Sequence, residues 1–138
     1  MPVQTLTLQL ETRGDADIVD ITDYLVSALA KTVIRSGTVT LFTPSATSAI
    51  TTIEYETGCL SDLRRLLDEI IPPNRPYAHN ARWGDGNGHA HIRAALLGPS
   101  LSIPLVERKL VLGTWQQVIL VDHDNRPRSR RVRIQVLG

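Results

Sequence analysis

A chain of 138 residues is long enough to bury one hydrophobic core but too short for two independent cores, which predicts a single domain over residues 1–138. Its apolar fraction of 42% and charged fraction of 21% are ordinary for a globular protein, and no stretch is apolar enough to cross a bilayer, so no membrane role is expected. The net charge of +1 argues against a broad basic surface for nucleic acid.

Two features favour a cytoplasmic location. The single cysteine, Cys59, cannot form an internal disulfide, which is consistent with a reducing compartment. The first residues, MPVQTLTLQL, alternate like a β-strand and lack the basic, apolar and cleavage regions of a secretory signal.

The first elements are predicted from hydrophobic periodicity. Leucines on every second position of residues 3–11 indicate a half-buried strand. Apolar residues then recur at helical spacing from Asp20 or Thr22 to Arg35, and Gly37 is a typical helix stop.

The middle of the chain is predicted to contain two strands, a helix and a long loop. Residues 38–42 and 49–55 are rich in threonine and β-branched side chains, which favours strands. Ser61 can cap a helix that the sequence IPP at 71–73 ends. The loop after it, NRPYAHNARWGDGNG, is long, and long loops in compact domains are often functional.

The last third is predicted to be mainly strands. A short helix over HIRAALLG precedes a strand pair at 101–113 and 114–122, and residues 130–136 supply the final strand. Strands and helices do not alternate regularly, so a parallel sheet is not expected. The predicted fold is α+β and predominantly β, a compact antiparallel β-sandwich-like domain with two or three flanking helices.

A histidine cluster is the strongest candidate for a functional site. His79, His89 and His91 lie within thirteen residues of one another, beside Asp85 and Asn87. On an extended segment, His89 and His91 would point to the same side and could reach one metal ion, whereas on a regular helix they would diverge. Metal binding and acid–base catalysis stay open, as does a loop that uses histidine and asparagine to satisfy its own backbone.

Three residues outside this cluster are further candidates. Glu54 ends a strand-like run that is otherwise uncharged, so it is a candidate base or supporting partner. Trp115 and Gln116 could line a pocket for a flat ligand, although a tryptophan in this position is more often part of the core.

Arginines near the end of the chain are candidates for contacting a phosphate group. Arg126, Arg128 or Arg130 could bind phosphate in a bidentate fork. Arg131 and Arg133 alternate with apolar residues and are expected on the open face of the last strand. Asn87, Arg128 and Arg130 are therefore predicted to bind ligand or cofactor.

Three sequence segments resemble the YjbQ-like family: YAHN at 77–80, GDGNGHAHIRAALLGPSLSIPL at 84–105 and LVLGTWQQVIL at 110–120. The resemblance implies a compact β-rich α+β fold that assembles as a homotrimer, with the site near subunit boundaries. By position, the histidine pair of the family matches His89 and His91, its YxHN histidine matches His79 and its strand-end glutamate matches Glu54.

The resemblance also implies an activity. The family is associated with a secondary thiamine-phosphate synthase reaction, which joins a pyrimidine pyrophosphate to a thiazole phosphate. We therefore expect an enzyme of this type, with Glu54, His79, Asp85, Trp115 and Gln116 as catalytic residues. The expected cofactors are a divalent metal, zinc at His79, His89 and His91, and magnesium with pyrophosphate.

One departure from the family pattern is Ser45, which stands where the family usually has a histidine. Three histidines and a water could still form an open metal site. Two alternatives to the synthase follow: a metal-binding or ligand-binding protein without turnover, and a metal-dependent hydrolase of a phosphorylated metabolite. The expected partner is a small phosphorylated substrate.

Overall fold

The computed structural model describes the whole chain, from Met1 to Gly138, as eight strands and four helices. The strands are β1 (Val3–Thr12), β2 (Asp17–Asp20), β3 (Gly37–Phe42), β4 (Ser48–Ile53), β5 (Ser100–Val106), β6 (Lys109–Leu110), β7 (Gln117–Asp122) and β8 (Arg128–Leu137). The helices are α1 (Thr22–Leu29), α2 (Thr57–Ile70), α3 (Ala78–Trp83) and α4 (Gly88–Leu97).

The strands form two antiparallel sheets. The larger sheet has the order β1-β8-β3-β5-β6, and the smaller has the order β2-β7-β4. The predicted α+β fold with antiparallel sheets is confirmed, with four helices where two or three were expected. No helix has the length and apolar character needed to span a membrane.

The cores explain why β7 is apolar on both faces. Val118 and Leu120 belong to the main core, which lies between the two sheets. Ile119 and Val121 point to the other side of the smaller sheet, into a second core that Leu60 of α2 covers. A strand buried on both faces loses the alternation of polar and apolar residues that marks a half-buried strand such as β1.

Several predicted boundaries are wrong for local reasons. The first helix ends at Leu29 rather than Arg35, because the backbone continues in tight turns whose amides bond three residues back. The second begins at Thr57, because the Glu56 carboxylate accepts hydrogen bonds from two amides of its first turn and takes the capping role expected of Ser61. The segment predicted as a long loop contains the short helix α3. No strand was predicted where β2 lies.

Candidate functional site

The turn between α3 and α4 determines where α4 begins. The Oδ1 atom of Asn80 accepts a hydrogen bond from the amide of Gly88 at 2.8 Å, and the amide of Asn87 donates to Oδ1 of Asp85 at 3.1 Å. A Cβ atom on Gly88 would lie only 2.6 Å from Cβ of Tyr77. Glycine is therefore required where the chain enters the helix.

His89 and His91 lie on opposite sides of α4. Residues 88–97 form a helix, and residues two positions apart in a helix are separated by about 200° around its axis. His91 lines an open polar cleft, whereas His89 is only 3% exposed and lines a small inner cavity with Arg93 and Asp15. The expectation that both rings share one side is therefore wrong, because it assumed an extended segment.

His79 and His91 do come together, although they belong to different helices. Their ring centroids are 4.3 Å apart and the ring planes are tilted by 39°. Nδ1 of His79 lies 3.4 Å from Oδ1 of Asp85. The structure thus brings together His79, Asp85 and His91, three of the residues predicted from the sequence, and leaves His89 apart.

Arg130 occupies the centre of a buried polar network behind these histidines. Its Nε and Nη2 atoms donate to the two carboxylate oxygens of Asp122 at 2.7 and 2.9 Å. Nη1 donates to Oγ of Ser45, and Nη2 also donates to Oγ1 of Thr47, both at 2.8 Å. Ser45, which departs from the family pattern, therefore orients a guanidinium.

Arg128 lies two residues before Arg130, on the same face of β8, and contacts a second buried carboxylate. Its Nη2 atom is 3.0 Å from Oδ2 of Asp124. Burial acts to raise the pKa of Asp124, but hydrogen bonds from Thr47, Arg128 and Asn87 bring that pKa below its ordinary value. Asp124 is thus an ionised anchor that holds Arg128 in place.

These groups surround the polar cleft, an open cavity of about 340 Å³. Its charged and amide-bearing lining residues are Asp85, Asn87, His91, Asp124, Arg128 and Arg130. Three predicted ligand-binding residues, Asn87, Arg128 and Arg130, therefore line the same cleft as His91. The combination can bind an anion and can transfer a proton to or from it.

A second pair of histidines is buried behind the cleft. His123 is fully buried, and neither of its ring nitrogens has a hydrogen-bond partner. Burial, together with the positive charge of Arg93, lowers the pKa of His123 to about 4. Burial and Arg93 likewise lower the pKa of His89, against smaller opposing effects that include Asp15. Both rings are therefore neutral near neutral pH.

Glu54, Trp115 and Gln116 lie apart from the polar cleft. Glu54 and Trp115 line a different cavity of about 460 Å³, together with Asp20 and Tyr55. Trp115 is 71% exposed, so the interpretation of this tryptophan as a core residue is wrong. Gln116 bonds the hydroxyl of Thr52 at 3.2 Å. Within one chain, these three residues do not contact the histidines.

Sequence reasoning missed the buried acids Asp122 and Asp124 and the buried His123. They follow the apolar run of β7 in the segment VDHD, and such ionisable residues directly after a fully buried strand were an available signal. The outward direction of Arg131 and Arg133 is confirmed, since both are exposed on β8.

No group of three or more histidine, cysteine, aspartate or glutamate side chains is arranged to hold a metal ion. A three-histidine cage does not fit this arrangement, because His89 faces away from His79 and His91. A metal held by fewer protein ligands remains a prediction.

The chain belongs to the family described as UPF0047 protein YjbQ-like, whose model matches residues 6–138. A UPF0047 protein of Methanothermobacter thermautotrophicus is 38% identical over 138 residues, which cover 100% of this chain and 94% of the relative. A UPF0047 protein of Archaeoglobus fulgidus is 36% identical over 132 residues, which cover 96% of this chain and all of that relative.

Solved structures show the same fold. The crystal structure of a protein of unknown function from Sulfolobus solfataricus matches with a TM-score of 0.93 and 34% identity, covering 99% of this chain and 98% of that one. A protein of the same family from Clostridium acetobutylicum matches with a TM-score of 0.87 and 32% identity, covering 96% of this chain and 99% of that one.

These findings confirm the family and contradict the expected thiamine-phosphate-synthase function. The family model and the curated relatives carry only the family designation, and the Sulfolobus protein is described as having unknown function. The prediction of a condensing enzyme depended on the resemblance alone, and none of these matched proteins is described with that activity. The function must therefore be argued from the cleft.

Proposed function

We propose that the polar cleft binds a small molecule through a phosphate group. The observation that carries this proposal is the state of Arg128, which Asp124 holds at 3.0 Å while a third of its side chain stays exposed. A guanidinium anchored on one edge can present its other donors to a phosphate in a fixed geometry. His91 lines the same cleft and can add a donor, whereas the side chain of Asn87 is buried and hydrogen-bonds Asp124.

The two arginines have different roles in this proposal. All three guanidinium nitrogens of Arg130 donate to protein acceptors, and its side chain is only 11% exposed. Arg128 contacts one carboxylate through Nη2, its Nε is buried without a partner, and a third of its side chain remains exposed. Arg128 is therefore the ligand-binding arginine, while Arg130 holds the walls of the cleft together.

Calorimetric titration with inorganic phosphate tests this proposal directly. We expect measurable binding to the wild-type protein and at least about tenfold weaker binding to Arg128→Gln, because a charge-assisted hydrogen bond contributes roughly 1.5–3 kcal/mol. The matched control is Arg133→Gln, on the outer face of β8, where Arg133 bonds Thr7 at 2.7 Å. The control removes the same charge but should leave phosphate affinity unchanged.

Two results would contradict phosphate binding in the cleft. One is equal affinity of the wild-type protein and Arg128→Gln. The other is the absence of phosphate binding to the folded wild-type protein at low ionic strength, where screening is weakest.

A divalent metal is proposed only for the His79–His91 pair, as a site with two protein ligands, in which Asp85 contacts His79 and is not a third ligand. The support is the 4.3 Å separation of the two rings and the 3.4 Å contact of His79 with Asp85. Elemental analysis of untagged protein should find about one zinc per chain, lost in His79→Ala and His91→Ala but retained in His89→Gln. Repeating the phosphate titration with and without magnesium tests the second expected cation.

We also propose that the chain forms a homotrimer in which subunits complete one another's sites. Support comes from large apolar side chains that one chain leaves exposed, among them Trp83, Leu96 and Trp115. Self-association could bring Glu54, Trp115 and Gln116 of one subunit to the polar cleft of another. Light scattering should give three times the chain mass of 15.3 kDa, and Trp115→Ala should then weaken phosphate binding.

A further inference from the structure

A second cavity adjoins the polar cleft and differs from it in chemistry. This alanine cavity, of about 250 Å³, is lined by Ala46, Ala94, Ala95 and Pro99, with Ser45, Ser48 and His91. Apart from His91, no side chain in its lining carries an ionisable group. Its walls are thus mainly methyl groups and the proline ring.

The alanine cavity and the polar cleft lie side by side. Ser45, Ala46 and His91 line both. A molecule held by Arg128 in the polar cleft, and long enough to pass the His91 ring, would therefore reach the alanine cavity. The junction lies at the one titratable side chain that faces both spaces.

The polar atoms at the edge of the alanine cavity are already engaged within the protein. The hydroxyl of Ser48 is hydrogen-bonded to that of Thr43 at 2.8 Å, and the hydroxyl of Ser45 accepts from Arg130 at 2.8 Å. A charged group placed there would lose its hydration without gaining partners, which is costly. An uncharged group would lose little.

The dimensions of the alanine cavity limit the size of that uncharged group. An apolar cavity of about 150 Å³ is sufficient to hold a benzene molecule. The space of about 250 Å³, which is open to solvent, therefore has room for a single ring or a short branched chain. The small side chains of Ala94 and Ala95 on α4 create this room, since a longer side chain at either position would fill it.

We propose that the ligand is a phosphate monoester of a small uncharged group, with the phosphate in the polar cleft and the uncharged group in the alanine cavity. This inference rests on the proposed phosphate binding and adds the chemical class of the rest of the molecule. The bridging ester oxygen would lie beside His91, the residue common to both spaces.

The test compares phenyl phosphate with inorganic phosphate as probes. Wild-type protein should bind phenyl phosphate at least about tenfold more tightly than inorganic phosphate, because the ring leaves water for the alanine cavity. Ala95→Leu, at an exposed position that tolerates a larger side chain, should abolish this preference and leave inorganic phosphate affinity within about twofold. Ala94→Leu should act in the same way. Because Ala94 is buried, this second variant must first be shown to fold.

The control is Ala30→Leu, an equal enlargement at an exposed position after α1 that lines none of these cavities. It should keep the preference for phenyl phosphate. Equal affinity of wild-type protein for the two probes would overturn the inference while leaving phosphate binding intact, as would an unchanged preference in Ala95→Leu. Failure of both probes to bind would overturn the proposed function and this inference with it.

Discussion

Arg130 donates hydrogen bonds to both carboxylate oxygens of Asp122, with donor–acceptor distances of 2.7 and 2.9 Å. Asp122 is the last residue of β7, the strand that separates the two cores. Asp122 is fully buried and also accepts a hydrogen bond from the hydroxyl of Thr12. This pair joins β8 of the larger sheet to β7 of the smaller sheet. The polar cleft is thus built on a buried ion pair that connects the two layers.

Asp122→Asn should destabilise the fold strongly. The substitution leaves the charge of Arg130 buried with one partner fewer, and breaking a buried ion pair typically costs about 3–5 kcal/mol. Urea denaturation measures the change in the free energy of unfolding. Asp62→Asn breaks the exposed pair with Arg65 and should change stability by no more than about 0.5 kcal/mol. Similar losses in the two variants would contradict the role assigned to Asp122.

Stability should fall as the pH drops from about 6.5 towards 4, because of His123. Its pKa is about 4 in the folded protein against 6.5 when exposed, so the unfolded chain binds the proton first. The stabilisation from the neutral ring is complete above pH 6.5 and decreases by roughly 3 kcal/mol as the pH approaches 4, at 1.36 kcal/mol per pKa unit.

The matching variant is His123→Leu, which has a side chain of similar size that does not titrate. Its free energy of unfolding should depend less on pH over this window than that of the wild-type protein. Parallel curves for the two proteins would show that another group is responsible. Above pH 7 the two curves should run parallel, since His123 is neutral in both states there.

Gly88→Ala should disturb the entry into α4. The added methyl group would lie 2.6 Å from Cβ of Tyr77, and overpacking of this kind costs about 1–3 kcal/mol. Thermal unfolding checks this expectation against Gly113→Ala, where the nearest atom would be an ordinary 3.5 Å away. An equal melting temperature for Gly88→Ala and the wild-type protein would refute the close contact.

Trp115→Ala should have little effect on the stability of the isolated chain. Removing a core tryptophan costs about 3–5 kcal/mol, whereas truncating an exposed side chain usually changes stability by less than about 0.5 kcal/mol. Trp115 is largely exposed and belongs to the second group. The free energy of unfolding should be measured at a concentration where the protein is monomeric. A loss of several kcal/mol there would place this indole in a packed environment.

Local patterns in the sequence were sufficient for much of the fold. The alternation of leucines in β1 and of arginines with apolar residues in β8 follows from the two-residue period of a strand, and it correctly assigned the outward faces. Element boundaries were less accurate. Whether α1 stops at Leu29 or continues depends on turns that the apolar period does not encode.

The sequence by itself determined the family, the antiparallel α+β fold and the candidates His79, Asp85, Asn87, His91, Arg128 and Arg130, because these depend on residue type and local spacing. Only the tertiary structure decided which of them meet. His89 is two positions from His91 but faces the interior, since a helix rotates the chain about 100° per residue. Arg130 and Ser45 are 85 positions apart but bonded at 2.8 Å, because packing of the two sheets brings distant strand ends together.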